Sequence, residues 1–345
     1  MQTKSRFQLA ARWLCFAVLA FAVMLRMAMQ PTVRAGISNT VSHALGSDAA
    51  ARLMLFLSLG TTQIPEDAPK EAAVEQSAAP QAAPETETYP TLRYTPKTQT
   101  QIPQGAVEIR NRSGLEIDLD SLLAAQLPFD ASAQGPLVLI IHTHATEAYT
   151  IADGDTYEES SSYRTQDTAY NVVRVGQALA DTLEARGIET LHDETLNDLP
   201  SYDDSYPRMA EVAQSYLTMY PSIQMVIDVH RDALVDDADN QLALTTVVEG
   251  EELAQLLLVM GTNASGLTHP NWESNLSCAV QAQAVTEARA PGLFRTMSLR
   301  AERYNQHLTP CSLLLEVGTA GNTLQQALRS AELFGEALAD LLLQG

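Results

Sequence analysis

The chain has 345 residues, of which 42 are acidic and 21 basic, and its formal charge is −21 at pH 7. This charge argues against a nucleic-acid-binding protein, which needs a basic surface to displace the counterions of the phosphates. A hydrophobic content of 46% excludes a wholly disordered chain, and three cysteines are too few for a disulfide framework.

A basic flank and an apolar run open the chain. Three basic residues precede the uncharged, apolar stretch of residues 13–25. This pattern is typical of a secretory signal or of a membrane anchor with a cytoplasmic N-terminus. We favour an uncleaved anchor over residues 13–29, behind a cytoplasmic tail at 1–12, because the best cleavage site, at Ala35, has an arginine beside the cut. In both cases the remainder of the chain is exported.

A long polar segment separates this anchor from the rest of the chain. Residues 61–100 contain six prolines and many Ala, Glu, Gln and Thr residues, without any apolar period. That composition predicts a solvated, semi-extended linker. The apolar stretch 49–59 is too short to span a membrane, and it fits an interfacial helix and a packing helix equally well. We therefore assign residues 30–100 to a juxtamembrane segment and a linker.

Alternating strand and helix patterns begin at residue 101. A small hairpin is predicted within residues 107–119. Strands are predicted at 137–141, 188–192, 225–230, 242–249, 256–261 and 312–317, and helices at 168–186, 209–219, 275–290 and 323–343. Residues 251–258 fit a helix equally well. The alternation predicts an α/β domain over 101–345, with its core at 135–345, in which helices cover both faces of a mostly parallel, twisted sheet.

Histidines and glutamates follow the predicted strands. The first buried strand is followed by His142, His144 and Glu147, a later strand ends in His230, and the last strand contains Glu316. In open sheets of this class the site lies beyond the carboxyl ends of the strands. Two imidazoles and a carboxylate form a catalytic zinc site whose fourth position is open, and a second carboxylate can transfer the proton.

Local arguments separate these residues from ordinary ones. His142 and His144 are two residues apart, so we expect their rings to share one face. Glu316 lies in an apolar strand, where an unpaired carboxylate is costly to bury, so we expect it to have a function. His230 has the alternative of pairing with Asp228 or Asp232. The other histidines are interpreted as surface or core residues: His43, His192, His269 and His307.

Two cysteines, Cys278 and Cys311, lie in the predicted domain. They lack the positive surroundings that activate a thiolate, so we do not interpret either as a nucleophile. They either pair with each other or remain two buried thiols, and we favour the free thiols.

Four stretches of the domain together resemble the stage II sporulation protein P family. They are IIHTHATEAY, NVVRVGQALADTLEARGI, VIDVHRDA and RYNQHLTPCSLLLEVGTAGNTLQQALRSAELF. The resemblance covers residues 107–345, and the anchor and linker fit it as well. It implies an exported cell-wall hydrolase of endospore-forming bacteria, with a fold similar to zinc-dependent N-acetylmuramoyl-L-alanine amidases. Such an enzyme cleaves the amide between the lactyl group of muramic acid and L-Ala of the stem peptide, and an endopeptidase activity on cross-linked stems is also ascribed to the family.

The same resemblance implies a cellular setting. The family acts in engulfment of the forespore, with the stage II sporulation proteins D and M as partners. It implies an anchor in the mother-cell membrane and a catalytic domain in the septal space, where peptidoglycan is the substrate.

Site residues also follow from the resemblance. It implies Zn²⁺ ligands at His142, Glu147 and His230, with His144 as the alternative to His142. The general base of the amidases matches Glu316 in the sequence Glu-Val-Gly.

One position departs from the amidase pattern. In the amidases a ligand glutamate opens the helix after the first strand, whereas here that position holds Asn171, so Glu147 would replace it from the loop. Three further residues in similar motifs are assigned to substrate binding or support: Arg231, Asn305 and His307.

Two other functions compete with a zinc amidase. One is a catalytically inactive wall-binding or scaffold protein that uses the same cleft, and the other is an exported metallohydrolase that acts only on stem peptides. The scaffold function is favoured if His230, a first-strand histidine and a carboxylate do not lie close together in the structure.

Overall fold

The computed structural model describes residues 90–94, 105–152 and 156–344. The predicted anchor at 13–29 and the apolar stretch at 49–59 lie outside these residues. Between residues 105 and 344, no helix combines the length and the apolar composition that a membrane crossing requires.

The described residues alternate between strands and helices. The strands are β1 (Thr91–Tyr94), β2 (Val107–Asn111), β3 (Val138–Ile141), β4 (Thr190–His192), β5 (Met225–Asp232), β6 (Thr245–Val248), β7 (Glu251–Ala254), β8 (Leu256–Met260), β9 (Met297–Leu299) and β10 (Cys311–Thr319). The helices are α1 (Leu119–Ala124), α2 (Val172–Ala185), α3 (Ser205–Met219), α4 (Trp272–Arg289) and α5 (Leu324–Leu342), with a 3₁₀ turn at Gln306–Leu308.

Eight of these strands form one sheet, in the order β1-β2-β9-β8-β10-β5-β3-β4. Strands β10, β5, β3 and β4 pair in parallel, as do β2, β9 and β8. Strand β8 runs antiparallel to β10, and β1 runs antiparallel to β2. The sheet is therefore mixed but mostly parallel, as predicted, and β5 and β10 lie side by side at its centre. Strands β6 and β7 form a separate hairpin.

Helices cover both faces of the sheet, which explains the uninterrupted apolar strands. On β3, Val138 and Ile140 belong to the large core cluster that includes residues of α2 and α5. Leu139 and Ile141 point the other way and pack with Met209 of α3. Because both faces are buried, every residue of β3 is apolar, and polar side chains first appear where the strand ends.

Some predicted elements differ from the observed ones. The hairpin within residues 107–119 is wrong, because β2 pairs with β1 and β9 and the chain then continues into α1. The alternative helix at 251–258 is also wrong, since those residues form β7 and most of β8. Strand β1 lies within the predicted linker. The short elements α1 and β9 carry too few residues to show a period.

Cys278 of α4 and Cys311, the first residue of β10, form a disulfide with a Cα–Cα distance of 5.9 Å. The expectation of two free thiols is therefore wrong. The sequence separates the cysteines by 33 residues, but α4 packs against β10 and brings them together. The bond attaches α4 to the central strand that carries Glu316, and such a bond persists in an oxidising, extracytoplasmic compartment.

Candidate functional site

Three buried side chains converge near the carboxyl ends of β3 and β5. Within the described part of the chain, one group of three could hold a metal ion: His144, Glu147 and His230, whose ligand atoms all lie within 4.8 Å of one another. Glu147 lies between the two histidines, with Oε1 3.6 Å from Nδ1 of His144 and Oε2 3.5 Å from Nδ1 of His230. The arrangement is that of a two-histidine, one-carboxylate site.

Backbone hydrogen bonds fix the turn that carries His144 and Glu147. The amide of Glu147 donates to the carbonyl of His144 over 3.1 Å, and the amide of Val172 donates to the carbonyl of Glu147 over 2.8 Å. Glu147 is thereby held beside the first turn of α2. Asn171 instead caps that helix, because its side chain accepts a hydrogen bond from the amide of Val173.

His142 does not join this cluster. Its Nδ1 lies 2.9 Å from the carbonyl oxygen of Val229, and its Nε2 lies 2.9 Å from Nε2 of His192. A Cβ at Gly176 of α2 would lie 2.5 Å from Nε2 of His142, so the imidazole fills the space that this glycine leaves. Burial lowers the pKa of His142 to about 3, and the neighbouring His192 adds to that shift.

The expectation that His142 and His144 share a face is wrong, and the end of the strand explains why. β3 ends at Ile141, and the next residues form a turn. Alternation of side chains holds only within a strand. His142 therefore packs beneath α2, while His144 reaches the cluster with Glu147.

Glu316 of β10 is aligned with His230 of β5 in the parallel register. Neighbouring strands lie about 4.8 Å apart, so these two residues project side by side from the same face of the sheet. Glu316 is buried, and its Oε2 has no hydrogen-bond partner. Burial, together with the negative charge of Asp232, raises the pKa of Glu316 to about 8. A carboxyl group that changes protonation near neutral pH is suited to proton transfer.

The three cluster residues differ in their charge state. Burial lowers the pKa of His144 to about 3, so this imidazole is neutral and able to coordinate a cation. Burial opposes ionisation of Glu147, but the hydrogen bond to His230 and the charge of Arg231 outweigh it and hold the pKa of Glu147 well below its ordinary value. Burial likewise opposes a charged His230, but Asp228 and Glu147 raise the pKa of His230 well above its usual range.

Asp228 sits behind His230. One of its oxygens, Oδ1, lies 3.0 Å from Nε2 of His230, although the two are out of line for a hydrogen bond. Asp228 itself accepts hydrogen bonds from the amide and the hydroxyl of Thr143, over 2.8 and 2.6 Å. A carboxylate behind a histidine is the arrangement that orients metal-binding imidazoles.

Two arginines hold Glu147 from the protein side. The amide of Arg231 donates to Oε2 of Glu147 over 3.2 Å, while its guanidinium donates to the carbonyls of Ala148 and Tyr163. Arg164 donates to Oε1 of Glu147 over 3.3 Å. Arg231, which the resemblance assigns to binding or support, is thus placed directly behind a cluster residue.

Aromatic rings enclose His144. Tyr202 stacks on its imidazole with centroids 4.3 Å apart, and Tyr206 meets the same ring edge-on at 5.6 Å. Asn305 donates to the carbonyl of Tyr206 over 2.8 Å. It therefore supports one of the two aromatic residues around His144 and does not reach the cluster. His307 lies instead in a groove that also exposes residues of α3.

Several site residues were not predicted. Asp232 lies two residues after His230 on β5, and side chains two residues apart on a strand point to the same face. That alternation could have placed Asp232 near Glu316. Tyr202 precedes α3 and Tyr206 lies in its first turn, and nothing in the local sequence pattern marks either residue. Arg295, which binds Asp232 over 2.7 Å, enters from the loop between α4 and β9 and has no sequence signal.

Comparison with known proteins identifies relatives of this chain. A family model described as stage II sporulation protein P matches residues 57–339. The stage II sporulation protein P of Bacillus subtilis (strain 168) is 27% identical over 230 residues, which cover 62% of this chain and 53% of the relative. The chain thus spans about half the length of the curated relative it matches.

Solved structures give looser matches. The N-acetylmuramoyl-L-alanine amidase AmiC2 of Nostoc punctiforme is 13% identical with a TM-score of 0.33, covering 61% of this chain and 98% of the amidase. An N-acetylmuramoyl-L-alanine amidase from Clostridium difficile 630 is 13% identical with a TM-score of 0.30, covering 61% and 95%. Similarities of this degree do not by themselves establish a shared fold. The family model, which covers most of the chain, is decisive: the chain belongs to the stage II sporulation protein P family.

Proposed function

We propose that this protein is an exported, zinc-dependent N-acetylmuramoyl-L-alanine amidase that removes stem peptides from peptidoglycan. One observation carries the proposal: His144, Glu147 and His230 converge within 4.8 Å, and the buried Glu316 stands in register with His230. We assign His144, Glu147 and His230 as the metal ligands and Glu316 as the general base. Of the two first-strand histidines, we choose His144 because His142 faces His192 and Val229.

The side chains present fit a divalent cation. Two imidazoles and one carboxylate are the ligand set of catalytic zinc. Glu147, Asp228 and Glu316 are buried together, and an excess of buried carboxylates is costly unless a cation compensates it. Oε2 of Glu316 is buried without a partner, as expected of a group whose partner is supplied by the substrate or by water. The proton held by His230 would leave when a cation binds.

The chemistry divides between the cation and Glu316. A zinc ion held by His144, Glu147 and His230 would supply Lewis acidity to the scissile carbonyl and to the attacking water. Glu316 would accept the proton of the attacking water and deliver it to the nitrogen of the leaving amine. Tyr202 and Tyr206 limit the access of bulk water to His144, and Asp228 and Arg231 hold His230 and Glu147 in place.

Removal of the metal tests this function directly. Incubation with a chelator should abolish the release of stem peptides from purified cell wall, and stoichiometric Zn²⁺ should restore it, because the cation supplies most of the activation of the carbonyl and of water. Mass spectrometry of the products identifies the bond: an amidase leaves muramic acid without a peptide, whereas a peptidase leaves shortened stems on the glycan. Unchanged digestion in the chelator, or shortened stems alone, would contradict the proposal.

Membership of the family supports a role in sporulation, and we propose that the enzyme acts in forespore engulfment with the stage II sporulation proteins D and M. The N-terminal sequence supports an anchor at residues 13–29, and the family resemblance supports its placement in the mother-cell membrane. The full chain should then sediment with membranes, and a chain that begins at residue 30 should not. Recovery of both forms in the soluble fraction would rule the anchor out.

A further inference from the structure

We propose that Arg295 selects the substrate by binding a carboxylate on the peptide side of the scissile amide. The inference rests on the proposed amidase function and names a specificity residue for it. The ligand class is a peptide stem that carries a free carboxylate on the residue after L-Ala.

Backbone contacts place Arg295 beside the proposed general base. The amide of Arg295 donates to the carbonyl of Leu256 over 2.8 Å, and Leu256 pairs with Val317, the neighbour of Glu316 on β10. The guanidinium then reaches Asp232 of β5, with its NH2 group 2.7 Å from Oδ2. Arg295 therefore spans from β8 to the end of β5 across β10, the strand that carries Glu316, and its positive charge acts on Glu316.

Arg295 also has guanidinium donors that are not engaged within the protein, unlike the neighbouring arginines. The guanidinium of Arg231 is buried and donates hydrogen bonds to two backbone carbonyls. Arg164 is bonded to Glu147 and Asp198 and lies over the ring of Tyr202. Arg295, by contrast, has a buried Nε without a hydrogen-bond partner, and its side chain remains 16% exposed. A guanidinium carries several donors, so the pair with Asp232 does not exhaust them.

Electrostatics explains why the site needs such a residue. The chain carries a charge of −21, and Glu147, Asp228, Asp232 and Glu316 are all buried near the reaction centre. A stem carboxylate that approaches this acidic protein binds more favourably where a second cation, besides the proposed zinc ion, faces it. Arginine suits that position because its planar fork matches a carboxylate in shape as well as charge.

A matched pair of soluble muropeptides tests the inference. One carries D-glutamate after L-Ala, with a free α-carboxylate, and the other carries D-isoglutamine, in which that group is an amide. The zinc-loaded, full-length protein should cleave the carboxylate form with a kcat/KM roughly tenfold higher, the effect of one charge-assisted hydrogen bond. In Arg295→Gln that ratio should fall to about one, with the loss concentrated in KM for the carboxylate form. Arg295→Lys, which keeps the charge, should recover part of the ratio.

The ratio separates recognition from a structural role, because loss of the Asp232 contact would slow both substrates alike. Arg289→Gln is the control, since Arg289 forms ion pairs with Glu336 and Asp340 on the surface between α4 and α5; its ratio should match the wild type. Cleavage of both muropeptides with a ratio that Arg295→Gln leaves unchanged would overturn the inference alone. Failure of the wild type to cleave either one would overturn the proposed function and the inference together.

Discussion

Replacing Glu316 with glutamine should slow amide hydrolysis by roughly 10²–10⁴-fold while the metal content of the protein stays unchanged. Glutamine has the shape of glutamate but cannot take a proton from water or deliver one to the leaving amine. The substitution also removes an ionisable group whose pKa burial has raised to about 8, so it adds no new buried charge. Steady-state kinetics on a soluble muropeptide and metal analysis of the same preparation give the two readouts.

Glu211→Gln provides the matched control for this experiment. Glu211 is exposed on α3, where the same chemical change should leave both rate and metal content at wild-type values. Loss of zinc from Glu316→Gln would reassign Glu316 as a ligand. Wild-type turnover with zinc retained would remove it from the mechanism altogether.

Substitution of His144 by alanine should abolish zinc binding, whereas the same substitution at His142 should leave about one zinc ion per chain. His144 belongs to the three-residue cluster, and losing a zinc ligand removes affinity that no neighbour replaces. His142 contacts Val229 and His192 instead. Its removal leaves buried polar groups without partners, so we expect a loss of unfolding free energy of about 1–3 kcal/mol rather than a loss of metal. Metal analysis and chemical denaturation measure the two effects.

His192→Ala extends the comparison without altering the turn that carries His144. It breaks the same imidazole pair from the other side, so it should resemble His142→Ala in both stability and zinc content. Zinc loss in both variants of the pair, with zinc retained in His144→Ala, would reverse the assignment of the ligand.

The long apolar strands were predictable because each is buried on both faces. β3 is an unbroken apolar run, and β5 and β10 are largely apolar before His230 and Glu316. The change from apolar to polar residues marks the carboxyl edge where the site lies. Strand β9 has three residues and α1 has six, which is too few for a period to emerge. Strand β1 is hidden because its neighbours in the sequence have the composition of a linker.

The site residues that lie within strands were predictable, whereas the positions of those beyond the end of a strand were not. His230 and Glu316 lie within β5 and β10, so the parallel register alone brings them together. His142 and His144 lie beyond the last residue of β3, where a turn replaces the alternation and the sequence no longer decides the direction of each ring. Tertiary contacts decide the direction of each ring. Those contacts come from α2, from the segment that precedes α3 and from the first turn of α3.

The bare Cα of Gly176 links three positions that are far apart in the sequence. A methyl group there would meet both His142 and His192 at less than 3 Å, so a larger residue at 176 is compatible with the fold only if one of the two imidazoles becomes smaller. Homologues should therefore show correlated substitutions at 142, 176 and 192, independent of positions 144, 147 and 230. In an alignment, that covariation would distinguish a histidine kept for packing from one kept for coordination, even where both fall in the same His-x-His pair.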